Sequence, residues 1–105
     1  MDYEIGQVVI LHLVGSVEVV GEWVGRFTDY VRLRNACHVI DTAPGPEDVA
    51  PGKLLLAVVE DGSFSDEIAV REDKILYIRM IKKPSALYQL YHQTVTEIVT
   101  TPAVG

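Results

Sequence analysis

Short apolar runs and alternations, separated by polar breaks every few residues, give the chain the pattern of a mostly β protein. Residues Val8 to Val14 are almost wholly apolar, and Val17 to Phe27 are rich in β-branched and aromatic residues. Each reads as a strand, with Gly15, Gly21 and Gly25 as bends or bulges. A polar turn at Thr28-Asp29 precedes Tyr30 to Ile40, where Val31 and Leu33 alternate with Arg32 and Arg34 as in a half-buried strand. The stretch "DTAPGPEDVAPG" holds three prolines and two glycines in twelve residues, so residues 41–53 are expected to be a surface loop. Leu54 to Val59 reads as another strand, and "EDGSFSDE" as a second polar interruption. Ile68 to Val70 and Ile75 to Ile81 then supply two more short strands.

The period changes after Pro84. Leu87, Leu90, Tyr91, Thr94, Val95 and Ile98 recur at spacings of three and four, and Ser85 is a good N-cap. One amphipathic helix is therefore predicted over about 84–99, covering an end of a barrel or docking on a neighbouring subunit. The β-branched run from Thr94 weakens its last turns, and residues 100–105 are expected to be a loose tail.

With 105 residues and 49% apolar content the chain has room for one domain around one modest core. Five or six short strands with a long loop in the second half suggest a small, strongly bent antiparallel barrel. No run of 18 apolar residues occurs, and "MDYEIG" lacks the basic and apolar regions of a signal peptide, so a cytoplasmic protein without membrane partners is expected. Cys37, the single cysteine, reads as a small buried apolar residue.

A net charge of −6 opposes diffuse attraction to a phosphate backbone. Its distribution is uneven, however. Nine carboxylates and only Lys53 and Arg71 lie between Asp41 and Asp73, whereas Arg26, Arg32 and Arg34 form one basic group and Arg79, Lys82 and Lys83 another. Such groups serve either as binding patches or as charged strand edges that discourage edge-to-edge pairing.

Two stretches carry a resemblance to a known family. "AVREDKILYI", residues 69–78, resembles the second signature of the Sm/LSm family, where an Arg-Gly-Asn or Arg-Gly-Asp turn lies between apolar strands: Arg71, Asp73, Ile75 and Ile78 match, and Glu72 stands where the glycine usually is. Upstream, in "GEWVGRFTDYVRLRNA", Gly21 resembles the family's bend glycine and Phe27 to Leu33 lie over its first signature. There Thr28, or Asp29 with a one-residue slip, occupies the signature's Asp position. Tyr30 stands where an aromatic or His is common, Val31 replaces Met and Arg32 replaces Asn. The chain is also similar to small Sm-like proteins of phages that carry a C-terminal helix, which would place it in a host cytoplasm.

The resemblance implies an Sm-like (SH3-type) barrel over residues 1–83, whose copies pair edge to edge into a homo-oligomeric ring, a pentamer to heptamer. It further implies that the signature loops face the pore and bind single-stranded RNA, or DNA, in a role in nucleic-acid processing. Tyr30 would stack on a base, Arg32 would read a base edge, Arg71 would close over the base or contact phosphate, and Asp73 would orient Arg71. Each has an alternative. Tyr30 can be the first residue of a strand packing on the barrel rim, and Arg71 can pair with Glu72 or Asp73 at the surface.

Other chemistry finds little support in the residues. His12, His38 and His92 are scattered without ligand spacing, and no Ser-His-Asp set or phosphate-cradling glycine loop occurs. A non-enzymatic protein without cofactor, metal or small-molecule substrate is expected, and the second reading is a structural or adaptor ring without a nucleic-acid site. Trp23 and Tyr77 are expected to be core or interface aromatics.

Overall fold

In the computed structural model, which describes residues 3–41, 52–60, 63–64 and 67–100, the apolar run near the N-terminus forms β1 (Val8–Leu13). Val9, Ile10 and Leu11 are fully buried, as a wholly apolar run requires when both of its faces are covered. β1 pairs antiparallel with β2 (Val17–Phe27), and β2 with β3 (Tyr30–Asp41). β3 is long enough to hold two further partners. Its first half, from Tyr30 to Arg34, pairs with β7 (Glu67–Arg71), and its second half, from Cys37 to Asp41, with β4 (Lys53–Ala57).

Between β4 and β7 the chain leaves the sheet as a small separate pair, β5 (Val59–Glu60) and β6 (Ser63–Phe64). The strand expected over Leu54 to Val59 is thus cut at Ala57, where the Val58 N–H donates instead to the Ala36 carbonyl at 3.0 Å. A single 3-10 turn at Glu72–Lys74 leads into β8 (Ile75–Met80), which pairs with β1. The result is a mostly β, antiparallel six-stranded sheet ordered β4-β3-β2-β1-β8, with β7 also on β3. The expected barrel is not closed by hydrogen bonds: among the described residues β8 pairs with neither β4 nor β7.

Two irregularities bend β2 against β3. The β2–β3 register shifts between Val20 and Glu22 and again between Trp23 and Gly25, and such bulges kink a strand and raise its twist. At the first, β3 comes so close that a Cβ on Gly21 would lie 3.2 Å from the Arg34 carbonyl oxygen and 3.3 Å from Ala36 Cα. Only glycine leaves that space. Asn35, opposite the bulge, takes a positive φ of 52° where β3 passes from β7 to β4.

The bent sheet buries one face on itself and the other under a helix. Val9, Leu11, Val19, Trp23, Val31 and Leu33 form the first core, onto which Ile68 and Val70 of β7 and Ile75 and Ile78 of β8 also pack. Val8, Val20, Cys37 and Leu55 form the second, covered by α1 (Ala86–Thr100) through Tyr91, Leu87, Tyr88, Leu90 and Val95. The helix therefore covers a face of the sheet, where an end had been one expectation. Its start follows the predicted cap, since Ser85 Oγ accepts the Tyr88 N–H at 3.1 Å.

Tyr91 fixes the helix to the irregular point of β3: its hydroxyl donates to the Asn35 carbonyl at 2.9 Å. Burial raises the pKa of that hydroxyl, which favours its protonated, donating form. The Cys37 thiol is fully buried and pushed up to about 11 by burial, so it is a packing group. No helix among the described residues is long and apolar enough to cross a membrane. Of the proline-rich loop, residues 42–51 lie outside the described residues, as do 101–105 of the tail.

Candidate nucleic-acid interface

The β2–β3 connection is a two-residue turn, Thr28-Asp29, with Phe27 opposite Tyr30. Thr28 has a φ of 51°, a conformation usually given to glycine or asparagine. Because β3 also pairs with β7, Tyr30 stands directly opposite Arg71, at the point where β7 enters the Glu72–Lys74 turn. The two turns touch through the backbone: the Glu72 N–H donates to the Asp29 carbonyl at 2.8 Å. Residues about forty positions apart in the chain thereby form one end of the sheet.

Side-chain direction follows from the strand period of two. Val31 and Leu33 enter the core, so Tyr30 and Arg32 project from the opposite surface, with Ala69 and Arg71 beside them on β7. Tyr30 is 42% exposed and Phe27 50%. The Arg32 guanidinium lies 5.4 Å from the Phe27 ring centre, within cation–π range. Asp29, Arg71, Glu72 and Asp73 line a shallow hollow of about 220 Å³ next to these aromatics. All six residues expected from the sequence, Thr28, Asp29, Tyr30, Arg32, Arg71 and Asp73, therefore lie at this end. Phe27 joins them, and the signal for it was the two-residue turn itself, which places it across from Tyr30.

Each arginine here faces a carboxylate. Arg71 Nη2 lies 3.2 Å from Asp73 Oδ2, Arg32 Nη1 lies 3.9 Å from Glu67 Oε1, and Arg26 pairs with Glu72. The Arg71–Asp73 contact is a surface ion pair, the alternative expectation for Arg71. Exposed pairs of this kind contribute only about 0–1 kcal/mol, so an incoming phosphate can exchange with the carboxylate at little cost. Arg26 also sits 6.0 Å from the Trp23 ring centre, which links the turn at Glu72 to the core.

Tyr77 is not a core aromatic, one of the two places expected for it. β8 is an outer strand of the sheet, so Tyr77 remains 53% exposed and stacks on His12, with ring centres 4.1 Å apart and planes at 16°. His12 Nε2 accepts a hydrogen bond from Arg79 Nε at 2.9 Å. Its pKa is lowered, first by desolvation and then by Arg79, with Glu18 acting in the opposite sense. Among the described residues no three His, Cys, Asp or Glu side chains are grouped so as to hold a metal ion. No protein-family model matches the chain, and no curated protein sequence matches it significantly.

Proposed function

We propose that this is an Sm-like, ring-forming protein that binds single-stranded RNA or DNA at its pore through the surface formed by the two turns. The observation that carries the reading is the pairing of Tyr30 with Arg71, with the turns beyond them joined by the Glu72–Asp29 hydrogen bond. An exposed aromatic beside an exposed guanidinium is the minimal apparatus for a single strand: the ring stacks on a base of any identity and the cation meets the phosphate. Asp73 holds Arg71 in place until the phosphate arrives, and Arg32 above Phe27 offers donors to a base edge.

The open sheet supports the ring reading. Among the described residues β8 at one end and β4 with β7 at the other pair with no further strand on their outer sides, and Leu76, Leu54 and Leu56 on these strands are exposed. Pairing one end with the other end of the next copy satisfies both and closes by rotation. Light scattering should give a mass that is a multiple of 11.6 kDa, and a particle of 11.6 kDa at micromolar concentration would exclude the ring.

One observation favours a second reading, a scaffold ring without a nucleic-acid site: Arg26, Arg32 and Arg71 all have carboxylate partners in a chain of net charge −6. The Arg71→Ala variant separates the two. If Arg71 meets phosphate, the slope of log K against log salt becomes shallower by about 0.7 per engaged site, because one fewer counterion is released. Arg34→Ala, on the same surface but beyond the turn, serves as control. Equal affinities and slopes for both variants and the parent protein would leave the scaffold reading.

A further inference from the structure

β8 runs away from the Glu72–Lys74 turn; Arg79 lies near its far end, and Lys82 and Lys83 follow just beyond it, all within five positions. This cluster differs electrostatically from the arginines beside the turns. Lys82 and Lys83 form no ion pair with any described residue, and Arg79 contacts a neutral imidazole nitrogen of His12. Among the described residues, positive charge is thus left unpaired at the β8–α1 junction, while the arginines beside the turns are matched one by one.

The junction is also built to hold its shape. The Ile81 N–H donates to the Val8 carbonyl at 3.0 Å, the Ser85 N–H to the Lys82 carbonyl at 3.0 Å, and the Tyr88 N–H to Ser85 Oγ at 3.1 Å. Two hollows of about 270 and 280 Å³ flank it and share Met80, Ile81 and Lys82. Lys83 and Tyr88 line one, and Arg79 lines the other. The start of α1 lies beside them and adds the positive end of its dipole.

We infer that the β8–α1 junction is a second contact for the same single strand, in which Lys82, Lys83 and Arg79 take backbone phosphates. The inference rests on the reading of the preceding section and extends it to a site that shares none of its residues. Geometry gives it a length requirement. The junction and the turns are separated by the six residues of β8, about 20 Å at 3.3 Å per residue, so a strand must be long enough to reach from one to the other.

Fluorescence anisotropy with labelled single strands of about 4 and about 16 nucleotides, the range of known single-strand sites, tests this on the assembled protein. The double variant Lys82→Ala/Lys83→Ala should lose about tenfold in affinity for the longer strand at low salt, and its salt slope should be shallower by about 1.4 per engaged subunit. With the shorter strand the loss should be absent. Unchanged affinity and slope for the longer strand, in a variant that assembles normally, would overturn the inference; if Tyr30→Ala still weakened binding, the pore reading would stand without it. Equal losses for both strands would overturn it too, since the lysines would then act through something other than a distant contact. Polyglutamate binding as tightly as the longer strand at equal salt would mark the junction as an acidic-peptide site. Failure of the parent protein to bind either strand would remove both readings.

Discussion

Replacing Trp23 by alanine should cost about 3–5 kcal/mol of stability, the largest effect expected of any single change in this chain. Trp23 is 2% exposed and lies in the first core with Val9, Leu11, Val31 and Leu33. Its ring meets Tyr3 edge to face at 5.3 Å between centres, a contact worth about 0.5–1.5 kcal/mol beyond its buried area. A domain of this size has roughly 5–15 kcal/mol in all, so much of the folded population is at stake. The effect should also reach the proposed site, because Arg26 rests over the Trp23 ring and pairs with Glu72 at the head of the second turn. Urea denaturation followed by circular dichroism, at fixed protein concentration, measures the loss, and Trp23→Phe should retain more of the stability. A loss below about 1 kcal/mol for the alanine variant would contradict the packing described.

The second large effect concerns binding. Tyr30→Ala should weaken single-strand affinity by about 1–3 kcal/mol per engaged site, or roughly five- to 150-fold, because a stacked base contributes that much. The same change should hardly touch the fold. Tyr30 faces outward, and the loss of its cross-strand pairing with Phe27 and Arg71 is worth only about 0.2–1 kcal/mol. Tyr30→Phe keeps the π-face and should bind nearly as the parent does. Normal affinity in a folded Tyr30→Ala variant would show that the tyrosine is a strand-edge residue and nothing more.

What the sequence made legible was local in origin. The helix is declared by i, i+3 and i+4 spacing after Ser85, and it forms at Ala86–Thr100 against an expected 84–99. β3 follows from the alternation of Val31 and Leu33 with Arg32 and Arg34, and the turn before it from Thr28-Asp29. The excursion of β5 and β6 was not legible, because Leu54 to Val59 is apolar throughout and only the contact between Val58 and Ala36 shows where the strand ends. Nor could the exposure of Tyr77 be read, since an apolar alternation does not say that β8 lies at the end of a sheet. The carboxylate partners of Arg26 and Arg32 were hidden for a similar reason. Glu72 and Glu67 come within reach of them only through the pairing of β7 with β3, which no local pattern encodes. Placing Tyr30 opposite Arg71 likewise needed the register, although each residue stood out alone.

Binding of a single strand by the surface formed by the two turns can be measured on the protein itself. Titration of the purified protein into labelled oligo-U and oligo-A at two salt concentrations tests it most directly. Saturable binding that weakens as salt rises is expected, with a slope set by the few cations engaged per subunit. Absence of saturable binding to either strand at the lower salt would contradict it.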